Sequence, residues 1–344
     1  MTSSARPQQR SWHQPLAGAA AGVVTVTVCA PLDVAKVRMQ LQDAIAPGSE
    51  KQRYSGLIGS LRTIYKEEGP RGFFRGYPTG LLTVPCFWSI YFSVYAQSKS
   101  YLGQHVLTAP AHQPAVHMLA AVSGAVATDV ATNPLWVVRT RLISQHMHRE
   151  DRGMPKYTGT LQAFQSIIRT EGFFALYKGL GASLLGTSHV AVQFPLYEYL
   201  KRQSTAADDG GGGQNGRSGG AGVEKVDLWR VVCASAVSKL VASTVTYPHE
   251  VLRSRLQDQR STAPANASSS GGSTSARPPA VQYTGLIDAC RVILRTEGVA
   301  GFYRGLSVNL VRVIPSTAVT FFTYEYLLDQ LRQRERDREP DSYS

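Results

Sequence analysis

The chain has 344 residues, 43% of them hydrophobic and only 17% charged, with a formal charge of +12. Charged residues fall below the roughly 25% usual for soluble domains, which points to a protein with several membrane spans, and the basic excess implies an anionic partner: nucleic acid, lipid headgroup or anionic solute. Cys29, Cys86, Cys233 and Cys290 lie far apart without paired metal spacing, which excludes a disulfide framework and a zinc site and reads as reduced thiols.

Mean hydropathy is −0.14, so the membrane reading rests on how apolar residues are distributed. The first stretch, Met1 to Gln14, carries Arg6 and Arg10 but no apolar core, so it is not a secretory signal; it is expected to be a disordered tail. From residue 15 onward the chain is internally repetitive. Tyr54-Ser55-Gly56, Tyr157-Thr158-Gly159 and Tyr283-Thr284-Gly285 each open an amphipathic run that ends in Glu68-Gly69, Glu171-Gly172 and Glu297-Gly298. Both markers are offset by 103 residues from the first copy to the second and by 126 from the second to the third. An aromatic and basic cluster follows each, Phe73-Phe74-Arg75-Gly76, Leu176-Tyr177-Lys178-Gly179 and Phe302-Tyr303-Arg304-Gly305. Three tandem repeats are expected at 15–101, 114–202 and 227–330, with a Gly-rich linker at 203–226, a low-complexity insert at 261–279 and a tail at 331–344.

Each repeat has two nearly uncharged stretches. The first leads into a proline motif: Leu16 to Leu32 has no charge, Ala115 to Val138 only Asp129, and Val231 to His249 only Lys239. The second follows the basic cluster: Gly76 to Ser98 and Leu180 to Tyr197 are uncharged, and Leu306 to Tyr324 holds only Arg312. About 20 residues suffice for a helix to cross a bilayer, so the expected fold is all-α, with six transmembrane helices in three tandem pseudo-threefold repeats and a short amphipathic helix in each. Asp129, Lys239, His189 and Arg312 inside spans imply a polar lumen, since ionisable groups avoid lipid. Small residues at four-residue spacing, Gly18 with Gly22 and Ala121 with Ala125, are expected to mark close helix packing. The loops inside each repeat are the basic ones, which puts them on one face, the inside, and both termini on the other.

The proline motifs are Pro31-Leu32-Asp33-Val34-Ala35-Lys36-Val37-Arg38, Pro134-Leu135-Trp136-Val137-Val138-Arg139-Thr140-Arg141 and Pro248-His249-Glu250-Val251-Leu252-Arg253-Ser254-Arg255. A proline within a helix removes a backbone bond and kinks it; three at equivalent positions bend three helices toward one axis. The third residue of each motif, Asp33, Trp136 or Glu250, and the base three positions on, Lys36, Arg139 or Arg253, then lie one turn apart. In a threefold arrangement each acid can meet a neighbour's base and close one end of the lumen with pairs weak enough to open, about 1 kcal/mol or less each when wet.

The triplicated Pro-x-acid-x-x-base-x-base motif, the Glu-Gly markers and the six spans resemble the mitochondrial carrier family over nearly the whole chain. The resemblance implies alternating access, with a matrix gate and a cytoplasmic gate opening in turn around a central site. It implies Asp33 paired with Arg139, Glu250 with Lys36, and Arg253 against the Trp136 ring, a cation and aromatic contact in place of the third ion pair. Gln40 and Gln257 match the family's bracing glutamines, and Ile143 stands at the third position. On the cytoplasmic side Tyr197-Glu198-Tyr199-Leu200-Lys201 is intact, whereas Ala96 and Leu328 replace an acid and a base; Lys99 with Glu325 is the remaining full pair, and the cytoplasmic gate, Lys99, Glu198, Lys201 and Glu325, is expected to be the weaker one.

Counting from Gly76, Gly179 and Gly305 places the family's contact positions near Leu82, at Gly186 and Thr187, and at Arg312, with Ser183 and Ser316 one turn away on the latter two. A guanidinium on a polar wall suits a base linked to phosphate. Trp88 either stacks on a base or packs; Asp129 either accepts from cargo or bonds a neighbouring helix; Lys239 either binds phosphate or snorkels; His189 reads as a helix contact. Tryptophan in the second motif is similar to the subgroup carrying NAD, FAD or folate, and pyrimidine nucleotides, and Tyr91-Phe92-Ser93-Val94-Tyr95 with Thr246-Tyr247-Pro248-His249-Glu250 lean toward NAD. The resemblance therefore implies a mitochondrial inner-membrane antiporter exchanging NAD for AMP or ADP, with FAD or folate and then pyrimidine nucleotides next. It also implies contact with anionic lipid such as cardiolipin, a monomer with no nucleic-acid partner, and a peroxisomal or plastid membrane as the less favoured location. NAD would be cargo, not a cofactor, and no metal is expected. A proton or anion leak protein is the reading from another class. No set of nucleophile, base and orienting group speaks for an enzyme.

Overall fold

A computed structural model describes residues 13–45, 53–106, 113–148, 156–189, 236–260 and 282–338, with 192–193, 196–197 and 199–200 between them. All regular structure among the described residues is helical. Repeat 1 holds α1 (His13–Ile45), α2 (Gly56–Glu68) and α3 (Tyr77–Tyr101), and repeat 2 holds α4 (Gln113–Ser144), α5 (Thr160–Glu171) and α6 (Leu180–Leu185). Repeat 3 holds α7 (236–246), α8 (Pro248–Asp258), α9 (Leu286–Thr296) and α10 (Leu306–Arg338). The last helix thus continues past 330, where a tail was expected.

Four described segments are long and apolar enough to cross a membrane: Ala17–Ile45, Pro70–Val106, Ala115–Ser144 and Gly298–Leu331. Residues 190–191 and 194–195 of the expected fourth span and 231–235 of the fifth lie outside the described residues, and the parts that are described are largely helical. Pro31 and Pro134 sit inside α1 and α4, and Pro248 starts α8 directly after a turn at Tyr247. The even-numbered spans carry prolines too, Pro85 in α3 and Pro315 in α10.

The close-packing seam falls one residue from its expected place. A Cβ on Gly18 or Gly22 would meet nothing within 4 Å, while Ala17 and Ala21 are buried. On α4 the buried small residues are Ala120, Gly124 and Thr128, not Ala121 and Ala125. A Cβ on Gly124 would stand 3.2 Å from the Tyr91 carbonyl, so the missing side chain lets α3 and α4 approach. One residue is a rotation of about 100° around a helix, enough to move a stripe off the contact face.

The three hydrophobic clusters gather where the proline motifs end and the amphipathic helices begin. One joins Val34, Leu41, Tyr54 and Ile64 to Ile143 of repeat 2 and Val308 of repeat 3. The marker tyrosines Tyr54, Tyr157 and Tyr283 are all buried. Gln42 holds the Tyr54 backbone from both sides, its Oε1 accepting from the amide at 3.0 Å and its Nε2 donating to the carbonyl at 3.3 Å. Gln145 does the same for Tyr157, and Gln259 Nε2 donates to the Tyr283 carbonyl. The second base of each motif pairs with the Glu of the Glu-Gly marker: Arg38 with Glu68, Arg141 with Glu171, Arg255 with Glu297. All three guanidiniums are fully buried, so these pairs lock each amphipathic helix under its own gate helix. Burial alone would push the Glu68 and Glu171 carboxyls up; the guanidiniums of Arg38 and Arg141 outweigh it and hold both below the ordinary carboxylate range.

Candidate functional site

The three motif residues and their bases form a closed ring across the repeats. Arg139 Nη2 of α4 donates to Asp33 Oδ2 of α1 at 2.7 Å. Lys36 Nζ pairs with Glu250 of α8 and also donates to Asn309 Oδ1 at 2.9 Å. The guanidinium carbon of Arg253 stands 4.9 Å from the Trp136 ring centroid, and that of Arg139 stands 5.4 Å from it, so the indole carries two cations. Arg253 has a buried Nη2 with no hydrogen-bond partner, and the Asp129 carboxylate lies within its electrostatic reach. Asp129 precedes Trp136 by seven residues, two turns on the same face of α4, and is itself buried.

Below the ring, glutamines tie neighbouring repeats. Gln40 Nε2 donates to Tyr247 Oη at 2.9 Å, and its Oε1 accepts from Ser254 Oγ at 2.6 Å. Gln257 Oε1 accepts from Thr140 Oγ1 at 2.9 Å. Ile143 fills the third position through apolar contact, and a Cβ on Gly76 would come within 3.1 Å of it. Gly76, Gly179 and Gly305 occupy equivalent places, with φ of 70°, 82° and 82°, each against the backbone carbonyl of a neighbouring gate base. A side chain there would be strained by the backbone and crowded by the gate together.

At the opposite end, two of the four expected gate residues are described. Lys99 and Glu325 are both exposed, and neither forms an ion pair among the described residues. The expected Lys99–Glu325 pair is therefore absent among the described residues. Glu198 and Lys201 lie outside the described residues.

Against this geometry the comparisons with known proteins are decisive. The family model for mitochondrial carrier proteins matches residues 7–106, 111–206 and 224–335. The chain belongs to the mitochondrial carrier family. It is a transporter, not an enzyme. The carrier is 38% identical to the mitochondrial nicotinamide adenine dinucleotide transporter 2 of Arabidopsis thaliana, over 92% of this chain and 79% of that protein. It is 39% identical to the chloroplastic nicotinamide adenine dinucleotide transporter 1 of the same plant, over 90% and 88%. With the mitochondrial nicotinamide adenine dinucleotide transporter 1 of Saccharomyces cerevisiae it shares 38% identity over 92% and 76%.

The carrier's expected contact residues fare unequally. Arg312 faces a cavity of about 340 Å³ together with Gly186, Ser316 and Lys239. Its Nη1 donates to Asp33 Oδ1 at 2.6 Å, so Asp33 is held by two guanidiniums, Arg139 and Arg312. Gly186 serves by its smallness: a Cβ there would stand 2.8 Å from His249 Nε2. His249 Nδ1 donates to the Thr246 carbonyl, which can only accept, and this fixes where the ring's proton sits. His189 Nδ1 meets Thr246 Oγ1 at 3.2 Å, a contact between repeats 2 and 3.

Leu82 is displaced from the role expected of it. The register of Arg312, seven residues after Gly305, falls on Thr83 after Gly76. The gate-facing position on α3 is Gly80, where a Cβ would stand 3.2 Å from Arg139 Nε, and Leu82 is about 200° further round. Thr83 is buried and donates to the Thr79 carbonyl at 2.6 Å. Ser183 is buried with its hydroxyl turned back to the Gly179 carbonyl, and Thr187 likewise donates to the Leu184 carbonyl at 2.7 Å. Both hydroxyls serve the backbone, as Ser and Thr in helices often do. Trp88 is half exposed, stacks on Phe92 at 5.5 Å and makes a T-shaped contact with Tyr91. Asp129 makes no hydrogen bond among the described residues; its neighbour is Arg253.

Sequence reasoning missed the double hold on Asp33, the glutamine clamps on the marker tyrosines and the buried Arg–Glu locks. The last had a signal: Arg38 to Glu68 and Arg141 to Glu171 are both 30 residues apart.

Proposed function

We propose that this carrier imports NAD across the mitochondrial inner membrane in exchange for an adenine nucleotide, AMP or ADP. The observation that carries the reading is the charge of the closed lumen floor. Lys36, Arg139, Arg253 and Arg312 stand against Asp33, Glu250 and Asp129, four cations to three acids, because Trp136 stands where a further acid would complete the ring. A concave end with surplus positive charge concentrates anions, and a guanidinium offers phosphate oxygens a fixed donor fork. The resemblance to three nicotinamide adenine dinucleotide transporters narrows the anion to a dinucleotide.

The basic loops inside each repeat support an orientation with the motif end toward the matrix and both termini toward the intermembrane space. In that orientation the structure corresponds to a carrier awaiting cargo from outside. We further read the carrier as a monomer with anionic lipid such as cardiolipin on its basic matrix face.

The test is competition in proteoliposomes. Uptake of labelled NAD should be inhibited by excess unlabelled NAD and AMP, and far less by FAD, folate or UTP. A stronger effect of FAD, folate or UTP than of NAD would reassign the cargo to those classes. A fatty-acid-activated proton current without saturable nucleotide exchange would make the protein a leak pathway instead.

A further inference from the structure

The cavity beside the gate lies between repeats 2 and 3, walled by Lys239 and Ser243 of α7, His249 of α8, and Arg312, Ser316 and Thr317 of α10. Its volume, about 340 Å³, is at the bottom of the roughly 300–1,000 Å³ range of pockets that enclose a whole drug-sized ligand. It therefore takes a part of a dinucleotide. Val313 is the one aliphatic side chain among its described lining residues, so a flat base gains little there and the charged linkage gains most.

The charges in this cavity are not equally free. Glu250 is engaged by Lys36, and Arg312 by Asp33. Lys239 has an exposed side chain and makes no hydrogen bond or ion pair among the described residues. Ser243 and Thr317 likewise leave their hydroxyls uncommitted among the described residues. An ammonium with three free donors, two hydroxyls and a neighbouring guanidinium is the donor set a diphosphate requires. A lysine that snorkelled to lipid headgroups would not line this cavity.

We propose that this cavity is the carrier's phosphate pocket and that Lys239 is its capturing cation, the group that takes the cargo's phosphate while Arg312 is still bound to Asp33. This rests on the carrier being a nucleotide exchanger. Once the phosphate is held beside Arg312, the guanidinium has an alternative acceptor. Each transfer of Arg312 from Asp33 to phosphate leaves Asp33 with Arg139 alone, so cargo capture loosens one side of the gate ring.

The experiment measures NAD exchange by the full chain in proteoliposomes for wild type, Lys239→Gln and Lys239→Arg, with ADP and adenosine as inhibitors and melting temperature as the folding control. Lys239→Gln should raise KM for NAD and the half-inhibitory ADP concentration about tenfold. Lys239→Arg should stay within about threefold of wild type, and adenosine, which has no phosphate, should inhibit all three alike. An unchanged KM in Lys239→Gln overturns the proposal, as does a loss shared equally by adenosine or accompanied by a fallen melting temperature. Should wild type ignore NAD yet exchange another phosphorylated nucleotide, the same comparison with that nucleotide judges the pocket apart from the NAD assignment. A wild type that exchanges no phosphorylated solute ends both.

Discussion

Replacing Trp136 with Asp converts the aromatic member of the gate ring into a third acid. Arg253 would lose its contact with the indole, now at 4.9 Å, which is worth about 0.5–2 kcal/mol. Its buried Nη2, which has no hydrogen-bond partner, would gain a charge-assisted bond worth about 1.5–3 kcal/mol. Arg139 would keep its 2.7 Å bond to Asp33, so the loss of its own ring contact matters less. The difference favours the closed gate by about 1 kcal/mol, which slows exchange about fivefold if gate opening limits the rate. A further acid in the ring also removes the one surplus cation on the floor, so KM for an anionic cargo should rise. Saturating and sub-saturating rates of labelled NAD exchange in proteoliposomes measure both. A variant with wild-type maximal rate and KM would show that position 136 has no part in gating or in cargo attraction, and its contacts with Arg139 and Arg253 would then be packing alone.

Three further variants probe separate parts of the account. Arg312→Ala should reduce exchange to the background of empty liposomes while the melting temperature stays within a few degrees, since Asp33 keeps Arg139; near-normal exchange would remove Arg312 from the site. Glu171→Gln leaves Arg141 buried without its countercharge, a loss of about 3–5 kcal/mol, and should appear as a markedly lower melting temperature in detergent. The Glu68 and Glu171 carboxyls are depressed in the folded state, so their contribution is complete above the ordinary Glu value near about 4.3 and is lost as pH falls through the folded value. Their share of stability should accordingly stay flat from neutral pH to that point and then drop, less steeply in Glu171→Gln. Gly186→Ala would put a methyl 2.8 Å from both His249 Nε2 and the Ser183 carbonyl, so it should raise KM for NAD and lower the melting temperature; an unaltered KM and melting temperature would show that the imidazole and the backbone both move aside freely.

How much the sequence disclosed depends on whether a feature repeats. The gate ring was legible because Asp33, Lys36, Arg139, Glu250 and Arg253 recur at fixed places in three copies, and a threefold arrangement leaves each acid facing a neighbour's base. Trp136 against Arg253 was implied by the resemblance to the carrier family, but its second cation, Arg139, was not, because that base was already assigned to Asp33. The Arg312–Asp33 bond was illegible for a related reason. It joins a residue that has no counterpart in the other repeats to an acid that already had a partner, and only the fold brings positions 279 residues apart together. Leu82, Gly18 and Gly22 were misplaced by rotation, since a helix turns about 100° per residue and a miscount of one moves a side chain to another face; Ser183 keeps its register but spends its hydroxyl on the Gly179 carbonyl. The lock between Arg255 and Glu297 was masked by the insert at 261–279, which stretches its spacing to 42 residues from the 30 of the other two copies.

The central claim is that a ring closed by two ion pairs and one tryptophan guards a cationic floor built to take NAD. Uptake of labelled NAD into liposomes containing the purified carrier, with and without AMP or ADP inside, tests it most directly. The account predicts saturable uptake that depends on the internal nucleotide and is abolished in Arg312→Ala. No NAD uptake over empty liposomes under any internal load would contradict it.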